Sequence, residues 1–147
     1  MEACAFNLQL VTLEIGGNNA AIVCPDVDIA AVVPKAFLTA FVEFVKNLKS
    51  GGPAEAEAVL GPSQNIMQYG KLLDKYNDIS KKDLKAAFGG EPSSPKTGSG
   101  FFLPPTVVEN PHDSRVVIDE QLGPILPLFK WSGKEDYCDA PTRPLWE

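Results

Sequence analysis

Gly100-Phe101-Phe102-Leu103-Pro104-Pro105-Thr106-Val107-Val108-Glu109 and Ile125-Leu126-Pro127-Leu128-Phe129-Lys130-Trp131 are the stretches on which the fold turns. Each is a short apolar run and predicts a strand, over 101–109 and 125–131. Pro104 and Pro105 lack a backbone donor and predict an edge position or a bulge for the first. Upstream, residues 84–88 predict another short strand, closed by Gly89 and Gly90. Residues 91–100 are rich in Pro, Ser and Gly and predict a surface loop.

Two helices precede these strands. Ser63 is the expected cap of a helix running to about Ile79, with Ile66, Tyr69, Leu72, Leu73, Tyr76 and Ile79 on its apolar face. Residues 29–49 predict a second, with Phe37, Leu38, Phe41, Val42, Val45 and Leu48 on one stripe and Asp28 as its cap. Pro34 predicts a kink or a split into two helices, and Gly51-Gly52 the stop. Nearer the start, residues 8–14 and 20–24 predict strands, the latter alternatively a buried extended segment. The whole is an α/β pattern, a small sheet of short strands with two main helices. Residues 1–132 form the expected domain, and 133–147 a tail without periodicity.

The chain has 147 residues, 44% of them hydrophobic and 22% charged, so a folded domain is the expectation rather than disorder. A net charge of −6 argues against a phosphate-binding face and hence against nucleic acid. No run is apolar enough to span a membrane, because Asp26, Asp28, Pro34, Lys35 and Glu43 interrupt the best stretch, and residues 1–10 show no secretory signal. Cys4, Cys24 and Cys138 are too few and too scattered for a disulfide framework or a metal pair, which predicts a reducing, cytoplasmic location. A single histidine, His112, excludes any metal site or triad that needs two imidazoles.

Read in order, Val11-Thr12-Leu13-Glu14-Ile15-Gly16-Gly17-Asn18, Leu60-Gly61-Pro62, Phe88-Gly89-Gly90, the Gly100 to Val108 stretch and Asp119-Glu120-Gln121-Leu122-Gly123-Pro124-Ile125-Leu126-Pro127 resemble the aldehyde dehydrogenase superfamily. The likeness runs from about Asn7 to Ser132. Its wording, Ala21-Ile22-Val23-Cys24-Pro25-Asp26-Val27-Asp28 included, is most similar to fungal members. The resemblance implies a partial catalytic domain of that family. It also implies that the preceding nucleotide-binding domain is absent, and that the block carrying the family's cysteine nucleophile is deleted at the Lys35/Ala36 join. After Ser132 the sequence departs from the family's.

By the same resemblance Glu14 is the general base, a role that suits a carboxylate whose pKa burial can raise. Glu120 matches the glutamate that contacts the cofactor ribose, here expected to be vestigial. Leu122 stands where the family has an aromatic ring against the nicotinamide. One carboxylate does not hold a dinucleotide, so no bound cofactor is expected. None of the cysteines sits beside a base or cation in the sequence: Cys138 lies among aspartates and Cys24 in an apolar run. Lys81, Lys82 and Lys85 are expected to be a solvated helix end. The function expected is non-redox acid–base chemistry on a small molecule, of isomerase or cyclase type, in fungal secondary metabolism, with Glu14 moving the proton, alone or with Asp119 or Glu120. The alternatives are an accessory pseudoenzyme that binds a protein partner, such as a full-length relative, and a decayed gene product. Homodimerisation by strand-edge pairing is the further expectation, since an unpaired edge invites it.

Overall fold

The structure, a computed structural model, describes residues 16–17, 21–23, 34–92 and 100–132. The strand expected over 8–14, the Asp28 cap, residues 29–33 of the first helix, the loop positions 93–99 and the tail 133–147 lie outside the described residues. Glu14, Cys4, Cys24 and Cys138 lie outside them too.

The apolar stripe of the first helix is real but its bounds differ from expectation. Helix α1 is Pro34–Lys46, and it buries Val42 and Val45. Pro34 stands at its first position, where a missing N–H has no intrahelical partner to lose, and the segment before it lies outside the described residues. The stop comes before Gly51-Gly52. Asn47 and Leu48 tighten the last turn by donating to the Phe44 and Val45 carbonyls, and Asn47 Nδ2 donates to the Glu43 carbonyl at 2.8 Å. Two strands that the sequence did not reveal follow, β1 (Lys49–Ser50) and β2 (Ala58–Leu60), paired in parallel.

Helix α2 is Ile66–Lys81. Its cap is Asn65 rather than Ser63: the Asn65 side chain accepts from the Gln68 amide at 2.9 Å. Placing the carbonyl oxygen of the side chain over the third amide is what an N-cap requires. Leu72, Tyr76 and Ile79 are buried, as the spacing predicts, and so is Lys75, which shares their stripe.

The main sheet has three strands in the order β3 (Ala86–Phe88), β4 (Thr106–Glu109), β5 (Ile125–Leu128). β3 runs antiparallel to β4 with an irregular register, whereas β4 and β5 are parallel and pair evenly from Thr106 with Ile125 to Glu109 with Leu128. β4 is therefore the central strand, not an edge. The prolines do not prevent this because they precede the strand; its first amide, Thr106 N, already donates to the Pro124 carbonyl at 2.8 Å. A parallel pair needs a crossover, and here it carries the four-residue helix α3 (Arg115–Ile118), also unforeseen. Ala21, Ile22 and Val23 form no strand and are exposed, against the expectation of a strand or buried segment. The Trp131 indole N–H donates to the Val23 carbonyl at 3.2 Å.

The core lies between α2 and the sheet: Leu72, Tyr76, Ile79, Leu103, Val108, Val116 and Ile125. A polar knot sits at the N-terminal end of β4. The Tyr76 hydroxyl donates to the Pro104 carbonyl at 2.5 Å and accepts from Thr106 Oγ1 at 3.3 Å, while Thr106 Oγ1 accepts from the Gly90 amide at 3.1 Å. Burial pushes the Tyr76 phenol up to about 12. Gly89 closes against this knot at φ +70°, where a Cβ would stand 2.5 Å from the Pro105 carbonyl oxygen.

Candidate functional site

Glu120 sits just after α3, where the chain turns toward β5, and is half-buried. Its Oε2 accepts a hydrogen bond from the Gly17 amide at 3.0 Å. Two segments 103 residues apart in sequence meet in this contact. Gly16 makes it possible. Its φ is +78°, and a Cβ there would lie 2.5 Å from the same carboxylate oxygen. Glycine alone adopts that conformation freely and leaves room for the carboxylate.

The neighbouring carboxylate, Asp119, is already engaged. Arg115 Nε lies 3.2 Å from Asp119 Oδ2, and Lys75 Nζ lies 3.6 Å from the same oxygen. Lys75 Nζ also donates to the Arg115 and Asp119 carbonyls, each at 3.4 Å. Lys75 is 3% exposed, which makes this a buried cation. Burial holds its ammonium below the usual lysine range; Asp119 acts in the opposite sense, and Arg115 and Lys71 add to the lowering. At the other end of α3, Asp78 Oδ2 accepts from the Arg115 amide at 3.0 Å. Ser114 precedes α3 as its cap residue, but its hydroxyl donates to the Pro111 carbonyl at 2.9 Å instead of capping.

Beyond Glu120 the chain passes through Leu122 at φ +40°, with the side chain largely exposed. The backbone is held there by the Gln68 amide, which donates to the Gln121 and Leu122 carbonyls at 3.4 and 3.3 Å, and by the Gln121 amide on the Val116 carbonyl. A non-glycine residue at positive φ persists only when its surroundings fix it. A dinucleotide needs contacts for its pyrophosphate and adenosine as well as its nicotinamide ribose. Among the described residues this side of the molecule offers one carboxylate, half committed to Gly17, and an aliphatic side chain. They do not by themselves fit such a cofactor.

The sequence-based site residues are thus divided. Glu120 is placed, beside the turn that follows the Glu14 motif; Glu14 itself lies outside the described residues. His112 is exposed and packs edge-on to Phe129, the ring centroids 5.2 Å apart. Lys82 and Lys85 spend their charge locally, on the Asp113 carbonyl and on Glu109, as expected of a solvated helix end. Among the described residues no group of three His, Cys, Asp or Glu can hold a metal, and no helix is long and apolar enough to cross a membrane. Lys75 and Asp78 were missed. Their signal was present: Lys75 falls three residues after Leu72 and four before Ile79, on the face that the apolar residues mark as buried.

Comparison with known proteins agrees with this geometry. The profile of the aldehyde dehydrogenase family matches residues 33–140. A probable aldehyde dehydrogenase from Pseudomonas is 29% identical over 165 residues, covering 93% of this chain and 33% of that protein. Aldehyde dehydrogenase LUC3 from Fusarium is 30% identical over 155 residues, covering 90% of this chain and 33% of the relative. Among solved structures, the NAD+ complex of an aldehyde dehydrogenase from Bacillus cereus superposes with a TM-score of 0.59 at 28% identity, over 70% of this chain and 21% of that one. The chain spans about a third of the length of the curated relatives it matches. A family profile matched over residues 33–140, with a fold shared with a solved aldehyde dehydrogenase at 28% identity, makes this chain a member of the aldehyde dehydrogenase family.

Proposed function

We propose that this chain acts on a small molecule by proton transfer without redox chemistry, an isomerisation or cyclisation, with Glu14 as the group that moves the proton. The observation that carries the proposal is the Gly17 N–H to Glu120 Oε2 bond at 3.0 Å. Gly17 follows Glu14 by three positions, and consecutive Cα atoms are about 3.8 Å apart, so the two Cα atoms are at most about 11 Å apart. A second carboxylate, Glu120, is therefore tied to the segment that carries the first. Asp119 is not the helper, because Lys75 and Arg115 already occupy it. Among the described residues no hydrogen bond engages Glu120 Oε1, which leaves it for a ligand hydroxyl.

One observation bears against redox chemistry of the family's kind. The alignment with the Pseudomonas relative runs over 165 positions, whereas 93% of this 147-residue chain is about 137 residues, so about 28 positions of the relative have no counterpart here. That gap supports the loss of an internal block such as the one expected at the Lys35/Ala36 join. The three scattered cysteines suit a reducing compartment, and we place the protein in the cytoplasm.

The test is Glu14→Gln on purified protein, with metabolites selected by the thermal shift they give the unsubstituted chain. Ligand shifts persist and turnover falls by roughly 10²–10⁴, the usual range for a lost general base. Unchanged turnover removes Glu14 from the role. A second proposal, an accessory that binds a protein such as a full-length relative, draws on exposed Ile118, Leu122 and Leu126. It predicts a stoichiometric complex with such a relative and no turnover by this chain.

A further inference from the structure

We infer that Lys75 is a positioning residue, which, together with Asp78, clamps α3 at both ends and so sets where Glu120 is delivered to Gly17. Lys75 and Asp78 are three residues apart on α2 and therefore face the same way. Asp78 Oδ2 takes the first amide of α3, Arg115 N, at 3.0 Å. Lys75 Nζ reaches the far end, where the carbonyls of Arg115 and Asp119 each lie 3.4 Å away and the Asp119 carboxylate 3.6 Å away. A carboxylate at the amino end and an amine at the carbonyl end is the polarity that a helical turn favours. α3 is only four residues long and its own cap residue, Ser114, makes no side-chain cap bond. One turn has little stability of its own. The clamp from α2 supplies what α3 lacks.

The clamp is also dry. Lys75 is buried on the stripe of Leu72, Tyr76 and Ile79, where a lysine without partners would be strongly unfavourable. Its three oxygens all belong to the segment ending at Asp119, one residue before Glu120. Removing the amine frees that segment at the point where Glu120 is aimed. This holds whether or not Glu14 moves a proton, since it concerns only the geometry of Glu120.

The Gly17 amide reports on the clamp in a ¹⁵N–¹H spectrum. Titrating to acid protonates Glu120, weakens the bond it accepts and shifts the Gly17 resonance. Glu120→Gln abolishes that shift and assigns it. In Lys75→Met the acid-induced Gly17 shift is lost, while Lys75→Arg, whose guanidinium also donates to carbonyls, restores it. Lys75→Gln, too short to reach both carbonyls, loses it as well, and serves if Lys75→Met fails to fold. Leu72→Ala, which loosens the same helix by core loss alone, keeps it. A full-sized Gly17 shift in Lys75→Met or Lys75→Gln overturns the inference, as does its loss in folded Leu72→Ala.

Discussion

Replacing Tyr76 by Phe isolates the polar knot from the core around it. Phe fills the same space, so no cavity term enters. What is lost is the hydroxyl that donates to the Pro104 carbonyl and accepts from Thr106. Tyr76 is fully buried, so water does not replace it. Leaving buried partners unsatisfied costs about 1–3 kcal/mol, and about 2 kcal/mol is the expected loss at neutral pH. For a chain of this size each kcal/mol moves the melting midpoint by about 2–4 °C, giving a fall of roughly 6 °C. The pH dependence adds a second signature. The folded phenol is pushed up to about 12 from an ordinary value of 10.0. A group whose folded pKa is raised contributes stability that is complete below the unfolded value and disappears as pH rises through the folded one. The unsubstituted chain therefore loses about 2 kcal/mol relative to Tyr76→Phe between pH 10 and 12, at about 1.4 kcal/mol per pKa unit with each group half-titrated at its own pKa. Urea unfolding of both proteins at pH 7, 10, 11 and 12 gives the difference directly and cancels the titration of the lysines. Thr106→Val in the same cycle reports the coupling of the two hydroxyls, expected at about 0.5–3 kcal/mol. Equal stability at pH 7, or a gap that does not narrow above pH 10, refutes the reasoning.

Three further outcomes follow from particular contacts. Lys75→Met changes the alkaline stability profile. Because the folded pKa lies below the ordinary 10.5, the unfolded chain binds more protons between the two values, and stability rises with pH across that window. Asp119, Arg115 and Lys71 face the amine and remain in the variant, so the rise is absent from a pH series of urea midpoints for Lys75→Met if Lys75 is its source. Gly89→Ala places a Cβ against the Pro105 carbonyl at φ +70° and lowers stability by at least the left-handed penalty of about 1–2 kcal/mol, read as a drop in urea midpoint. Asn65→Ala removes the cap on the Gln68 amide and costs about 1 kcal/mol by the same measurement, while Ser63→Ala stays within about 0.5 kcal/mol.

The main helices and strands were legible because their apolar residues keep a period. The stripe from Val42 to Val45 and that from Leu72 to Ile79 are local facts of spacing, and burial follows them. What was not legible depends on partners. Asn65 and Ser63 are both good caps by type, and only the place where the chain enters α2 decides between them. The prolines at 104 and 105 point to an edge or a bulge because proline cannot donate, yet the ladder to β5 begins one residue later, at Thr106, and the irregularity against β3 lies between Ala86 and Phe88. β1 and β2 have two and three residues, too few to show alternation. α3 has four, below any period, and exists through Lys75 and Asp78. At the site, resemblance pointed to Glu120, and the structure adds the Gly17 amide and the glycine that admits it. Lys75 lies on the same apolar stripe, but its type suits solvent as well as the core, and only its carbonyl and carboxylate partners mark it as buried.

Asp119 and Glu120 show how adjacent carboxylates of nearly equal chemistry come to different uses. Asp119 lies within reach of a guanidinium and a buried amine, both donated by α2 or α3, so its charge is spent on holding the turn. Glu120 has one backbone amide for one oxygen. A carboxylate oxygen shared between two cations is committed to them, whereas a carboxylate fixed at one oxygen by a backbone amide is oriented and still able to accept. Exchange of the two residues, Asp119→Glu with Glu120→Asp, tests this division of labour. The longer side chain at 119 disturbs the contacts with Lys75 and Arg115, and the shorter one at 120 falls short of Gly17. The exchanged protein keeps its charge and composition but loses the acid-induced shift of the Gly17 amide. Persistence of that shift at full size shows that the position of α3, and not the side-chain length at each site, decides which carboxylate meets the glycine turn.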